Sequence, residues 1–493
     1  MQIDTRLILA KSQFVQTVLD GNTAVAWHSL FGNPRTVPIE TLEFLDEFRE
    51  PKALCDVLDE ETIDSQREVI QELLTARFLI PKEFDERTFL GEKIKERQGN
   101  TANGSLIDYL ELIMSEACNF RCTYCIHFNN LETSDRINNP KKFMQLEVAR
   151  ETVDKYLSIL QQHGKTMAAI NFGGGEPLLA WPVIERILEY CVSHYGREFT
   201  FRFSINTNAS FITLEIAKKL KQYRVEIASS LDGLHEGNNK VRLTKTGGGT
   251  FEKILRGFEN LEAAGYPLEG IAVTVNERNF PFLDETIIDW ATKRGMSEVR
   301  IDIDVIDIIA IQINDVVEKL MRIRRYARER RIDVSGFWSR PAENLNDSTL
   351  DVHVSFCGAV RGNNMCVSPS GSIYGCGYST TELGKLSEIE TFHSPDGRYS
   401  HFVNGHMTGT MEMCKGCMIE GQCGGGCNIT QEFAKATKTA KIDRMCDFYR
   451  WMTRELILEQ LKEMKGGDSN AESAPKETGR QPECQVLSQA ESA

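Results

Sequence analysis

Between about residues 105 and 310, short apolar runs alternate with stretches whose apolar residues recur three and four apart. The runs SLIDYLELIM, TMAAINF, FTFRFSIN, VEIASSL, GIAVTV and EVRIDID read as strands. LEVARETVDKYLSILQQ, WPVIERILEYCVSHY, LEIAKKLKQY, FEKILRGFENLEAAG and FLDETIIDWATKRG read as the amphipathic helices between them. Repeated strand-helix units predict parallel strands joined by right-handed crossovers. The expected fold is therefore α/β, a partial (β/α)6 TIM-type barrel over 105–310, with its reactive centre at the C-terminal ends of the strands.

Residues 1–95 carry a different pattern. Three extended runs, TRLILA, FVQTVLDG and TAVAWHSLF, precede two helical patterns, IETLEFLDEFRE and SQREVIQELLTARFLI, which predicts a small winged-helix-like module. Beyond the barrel, 311–349 reads as a helical connector whose NDVVEKLMRIRRYARERR is strongly basic. From 350 to 465 a Gly- and Cys-rich segment has too few apolar residues to fold on packing alone, so metal is expected to supply much of its stability; a helix, DFYRWMTRELILEQLKEMK, closes it. Residues 466–493 are rich in Ser, Glu, Gln and Pro and read as a disordered tail.

At 493 residues and 41% hydrophobic, the chain can bury more than one core. Its formal charge of -14, from 57 basic and 71 acidic residues, argues against nucleic acid or an anionic membrane as partner. Polar residues interrupt every apolar run of the first thirty positions, so neither a signal peptide nor a spanning helix is drawn, and the expected location is the cytoplasm. Cytoplasmic thiols stay reduced, so fourteen cysteines point away from disulfides. Three lie at 118–125 and eight between 357 and 446, a clustering that reads as metal ligation; Cys55 and Cys191 fall in helical patterns as core candidates, and Cys484 lies in the tail.

Cys118, Cys122 and Cys125 follow directly on the first barrel strand as CxxxCxxC. Three such thiolates can bind three irons of a 4Fe-4S cubane and leave the fourth open. The competing reading is a zinc site completed by His127. Spacing, strand and the aromatic Tyr124 resemble the radical SAM superfamily over roughly 105–310. The resemblance implies that S-adenosyl-L-methionine chelates the open iron and that the reduced cluster cleaves it to a 5'-deoxyadenosyl radical, which takes hydrogen from an unactivated C-H bond. It also implies cofactor contacts. Gly174, Gly175 and Glu176 lie in a GGE-like turn after the second strand, Ser204 and Asn206 end the third, Ser230 ends the fourth, and Arg242 stands in HEGNNKVRLTKTGGGTF.

Downstream, Cys357 and Cys376 are spaced C-x13-G-x4-C, and Cys414, Cys417, Cys423 and Cys427 form CxxCx5Cx3C before Cys446. This order resembles the SPASM extension of radical SAM enzymes and implies two auxiliary 4Fe-4S clusters, three clusters in all. One would be held by Cys357, Cys376 and Cys427, with Cys366 expected to close it; the other by Cys414, Cys417, Cys423 and Cys446. Two zinc-ribbon sites are the alternative. Enzymes of this combined architecture resemble maturases of ribosomally made peptides, so the N-terminal module is expected to dock a leader peptide at a strand edge. The expected reaction is hydrogen abstraction from that precursor peptide followed by an intramolecular crosslink, first among them a Cys thioether. An external reductant such as flavodoxin or ferredoxin would supply the electron. Other outcomes are C-C or C-O cyclisation, epimerisation or excision. An anaerobic sulfatase maturase would carry Asp where Gly377 stands, and a non-catalytic iron-sulfur electron carrier is the reading from outside enzymology. The basic connector helix, with Lys319, Arg322, Arg324, Arg325, Arg328, Arg330 and Arg331, is a candidate dock for an acidic leader.

Overall fold

The computed structural model describes residues 4–126, 143–305, 311–347, 355–437 and 441–467. The tail, with Cys484, and His127 lie outside the described residues.

Six parallel strands follow the order the periodicity predicts. They are β7 (Tyr109–Ser115), β8 (Met167–Gly174), β9 (Thr200–Thr207), β10 (Glu226–Ser229), β11 (Gly270–Val275) and β12 (Glu298–Ile303). The earlier strands, β1 (Ile8–Lys11), β2 (Val15–Asp20), β3 (Thr23–His28), β4 (Gly32–Pro38), β5 (Lys52–Ala53) and β6 (Leu79–Pro81), belong to the N-terminal module. β7 through β10 pair in register as one sheet, β11 pairs with β12, and a parallel bridge from Ser230 to Ala272 joins the halves. Crossover helices cover the outside. In β9, Phe203 and Ile205 are buried beneath them, while Ser204 and Asn206 alternate onto the opposite face. Leu157 and Leu160 on the first crossover helix and Ile184 and Leu188 on the second belong to that same buried core.

Two strands flank this barrel that periodicity did not predict. β13 (Asp333–Ser335), inside the supposed helical connector, extends the sheet beyond β12. β14 (Asn364–Val367), from the cysteine-rich segment, pairs parallel with β7 and places Cys366 opposite Glu111. β15 (Ser372–Tyr374) and β16 (Gly384–Lys385) continue antiparallel from it. The cysteine-rich segment is thus fused to the barrel edge. It also contributes Ile373, Leu383, Phe392, Tyr399 and Val403 to the barrel's own core, so its packing is better than its composition predicts.

The N-terminal module contains two three-stranded antiparallel sheets, β5-β1-β6 and β2-β3-β4. Period-two alternation lets β3 serve two cores at once: Ala24 and Ala26 join the module's own core with Leu45, Phe48, Ile70 and Phe78, whereas Val25 and Trp27 enter the core shared with the barrel. The module's last helix runs Glu86–Ala102, across the boundary expected at 95. Cys191 is buried as expected, but Cys55 is exposed on a turn, because its helical pattern stops short and a 3-10 turn replaces it.

Candidate functional site

The cysteine loop is laced to the chain after β10. Arg121 N donates to Leu243 O at 2.6 Å and Thr123 N to Val241 O at 2.9 Å, and buried Phe120 bridges to Thr244. Phe120 N points at Cys118 Sγ, 3.4 Å away. Asn208 Nδ2 lies 3.9 Å from the same sulfur and donates to Asn119 Oδ1 at 2.9 Å, tying the loop to the end of β9. Burial pushes the Cys118 thiol up to about 11, with Glu176 and Cys122 adding to the shift against the Phe120 amide and Arg121. Burial likewise raises Cys122. Thiols this reluctant to ionise would need a cation beside them to act as thiolate ligands, as iron would supply.

The glycines of the GGE-like turn meet backbone. Gly174 has φ +113°, and a Cβ there would stand 2.3 Å from Ser115 O; one on Gly175 would stand 2.5 Å from Ala117 O. Gly175 N and Glu176 N donate to those same two carbonyls. The turn is therefore pressed against the start of the cysteine loop.

Glu176 is fully buried and accepts from Leu178 N at 3.0 Å, Thr207 Oγ1 at 2.7 Å and Asn208 N at 2.8 Å. Burial lifts its carboxyl to about 7 against those bonds. Its role in this geometry is to join the ends of β8 and β9. Ser204 is half-buried with its hydroxyl on Asn171 Oδ1 at 2.9 Å, Asn206 is exposed on the same face, and Ser230 is half-buried at the bridge to Ala272.

Asp232 is the hub of this wall. Its Oδ2 accepts from Arg242 Nε at 2.8 Å and from the Tyr124 hydroxyl, and its Oδ1 from Thr274 N at 2.8 Å. Burial opposes the Arg242 charge, but Asp232, Tyr124 and Cys122 outweigh it and hold the guanidinium's pKa high. Arg242 thus stays a buried cation with donors beyond Nε, next to the cysteine loop. The signal was the strand-end Asp-Gly step; its partners, ten to more than a hundred residues away, were not visible.

The eight downstream cysteines fall into two neighbourhoods. Burial raises Cys366 and Cys376 most, then Glu111 and the thiols of their own group: Cys376 and Cys357 for the first, Cys427 and Cys357 for the second. Cys427 is pushed to about 12 by burial and Cys357. In the other group, burial and then Cys446 and Cys417 push Cys414 to about 12, while Cys423 responds to burial, Cys446, Cys414 and Cys417. Cys357, Cys366, Cys376 and Cys427 thus lie near one another, as do Cys414, Cys417, Cys423 and Cys446. Among the described residues no three His, Cys, Asp or Glu close on one point as a single metal ion requires. A cubane instead meets each thiolate at a separate iron, and the donor set fits that group.

Glu111, which sequence reading did not single out, accepts from Cys366 Sγ at 3.0 Å, and burial raises its carboxyl against help from Cys366 and the Gly377 amide. A Cβ on Gly377 would lie 2.7 Å from Glu111 Oε1. The Glu111 carboxylate, from β7, therefore stands directly against position 377.

The basic connector helix is largely occupied. Arg322 pairs with Glu285, Arg324 and Arg328 with Glu459, and Arg330 with Asp289, while Lys319 donates to Phe280 O. Five of the seven cations are thus engaged by neighbouring elements, while the Arg322 and Arg328 side chains stay 50% and 45% exposed.

Residues 112–291 match the Radical SAM superfamily, a span that starts in β7 and takes in the cysteine loop and the Asp232–Arg242 pair. The chain carries a radical SAM domain. S-Adenosyl-L-methionine and a 4Fe-4S cluster are the cofactors this family implies. The enzyme is 26% identical over 467 residues to the radical SAM cyclopropyl synthase TigE of Paramaledivibacter caminithermalis, covering 91% of this chain and 96% of that one. It is 24% identical over 355 residues to the cysteine-type anaerobic sulfatase-maturating enzyme of Clostridium perfringens (strain 13 / Type A), covering 68% and 92%. The solved structure of native anSMEcpe with bound AdoMet matches with a TM-score of 0.51 at 18% identity, over 69% of this chain and 99% of that one, a likeness of fold. Among the described residues no helix is long and apolar enough to cross a membrane.

Proposed function

We propose that this radical SAM enzyme matures a ribosomally made precursor peptide by forming an intramolecular bond, and that the bond is carbon-carbon. The observation that carries this reading is the 467-residue likeness to a cyclopropyl synthase, which at 91% of the chain cannot be confined to the barrel and must reach into the flanking N-terminal and cysteine-rich regions. It favours ring closure between carbons over the thioether expected from sequence. The matched sulfatase-maturating enzyme, whose name describes work on another protein, supports a peptide substrate.

In this reading Cys118, Cys122 and Cys125 would hold a 4Fe-4S cluster, which with bound S-adenosyl-L-methionine would supply a 5'-deoxyadenosyl radical on reduction. The residues around it orient the cofactor. Arg242, kept cationic by Asp232, offers its remaining donors to a carboxylate. Glu176 and the glycine turn fix the wall beside Cys118, Tyr124 is held by Asp232, and Ser204, Asn206 and Ser230 present hydroxyl and amide groups to ribose and methionine. Helix-covered strands exclude water and competing hydrogen donors. Cys357, Cys366, Cys376 and Cys427 would hold one auxiliary cluster and Cys414, Cys417, Cys423 and Cys446 the other, and each would supply a one-electron acceptor beside the barrel. The precursor docks on the N-terminal module, and a flavodoxin or ferredoxin supplies the first electron.

Anaerobic coexpression with candidate precursor peptides taken from short open reading frames flanking its gene tests the reading. The expected product has lost one hydrogen pair, with fragmentation locating both hydrogens in one residue and every Cys thiol still open to alkylation. A blocked thiol means a thioether, and an unmodified peptide in the presence of intact clusters overturns the maturase assignment.

A further inference from the structure

The N-terminal module and the segment between Cys414 and Cys423 are joined by buried polar contacts that the chemistry above does not use. Trp27 Nε1 donates to Met418 O at 2.8 Å. Gly421 N donates to Ser29 O at 2.8 Å. The Gln422 side-chain amide, oriented to satisfy both neighbours, donates to Ser29 O at 3.1 Å and accepts from Gly32 N at 3.0 Å. A Cβ on Gly421 would stand 1.9 Å from Leu30 O, so the two backbones approach as closely as glycine allows.

Arg87, from helix Glu86–Ala102, forks onto both oxygens of Glu420, with Nη2 2.9 Å from Oε2. Glu420 is buried, and its Oε2 also accepts from Gly416 N at 3.0 Å. Met418, Glu420 and Gln422 all lie between Cys417 and Cys423, and Glu420 is near enough to Cys414 to disfavour its thiolate. A buried carboxylate needs a partner, and the planar guanidinium meets it in two parallel bonds. The partner comes from 333 residues away, so the loop's geometry depends on a module outside its own segment.

We propose that Arg87 is a positioning residue for the second auxiliary site: by neutralising Glu420 and fixing the loop between Cys417 and Cys423, it sets both the arrangement of those thiolates and the charge beside the cluster they hold. The inference rests on the two-cluster reading proposed above. It makes the N-terminal module a structural part of that site as well as a peptide dock.

The test uses the full chain reconstituted anaerobically, comparing wild type with Arg87→Ala, Arg87→Lys and Glu420→Gln by iron content, spectra and the potential of each cluster. Wild type should carry about 12 irons and Arg87→Ala about 8, with peptide-free cleavage of S-adenosyl-L-methionine retained. Arg87→Lys should recover iron only in part, since an ammonium cannot fork. Glu420→Gln should keep its iron and shift one potential to a less negative value, because a negative charge beside that cluster is gone; it decides the matter if Arg87→Ala does not fold. Full iron with unshifted potentials in both Arg87→Ala and Glu420→Gln overturns the proposal. A wild type with only about 4 irons overturns the two-cluster reading itself, and is told apart by needing no variant.

Discussion

The barrel and the cysteine-rich segment meet along β7 and β14 but are specified in different ways. In the barrel, strands such as β9 and β11 bury alternate residues under helices with a matching apolar stripe, while β7 and β8 carry nearly continuous apolar runs, so order follows from local pattern. In the segment from 357 to 446, strands are two to four residues long, and the apolar residues that join the core stand between loops carrying thiols and glycines. Its loops are held from outside, by Glu111 of β7 on one side and by Trp27, Ser29 and Arg87 of the N-terminal module on the other. Local pattern builds a scaffold here, and distant polar contacts place the chemistry on it.

The sharpest way to break this contrast is to remove the iron. Hydrogen exchange on chelated protein should show amide protection falling by more than about a hundredfold across residues 411–427, where thiols rather than ladders fix the backbone. Protection in β7 to β12, and in β14 where it pairs with β7, should persist. Equal loss in both regions would mean that the barrel too depends on metal.

A smaller effect sharpens the barrel side. The Glu176 carboxyl, raised by burial from 4.5 to about 7, favours the folded state in its protonated form. That contribution is full below pH 4.5 and is lost as pH rises through 7, so wild-type apoprotein should lose up to roughly 3 kcal/mol across the window. Melting curves of Glu176→Gln should lack this slope between pH 5.5 and 8. Parallel profiles for the two proteins would show that Glu176 is already ionised at the lower end.

The same contrast explains what could be read from the chain alone. Six barrel strands and the helices between them were legible, because period two and period 3.6 are local. β13 and β14 were not, since three or four residues in polar or Gly-rich surroundings carry too little pattern, and their partners are remote. The cysteine groups followed from spacing and resemblance. Glu111 was missed because it is an ordinary polar residue inside a strand, made significant by Cys366 brought to it by the fold. Cys55 was misplaced because a helical pattern ended a turn early.

The measurement that tests the central claim most directly is reductive cleavage of S-adenosyl-L-methionine by the anaerobically reconstituted chain, without peptide, in wild type, Cys122→Ala and Cys423→Ala. The account predicts 5'-deoxyadenosine and methionine from wild type and Cys423→Ala, and none from Cys122→Ala. Equal cleavage by Cys122→Ala, or none by a wild type holding its full iron, would contradict it.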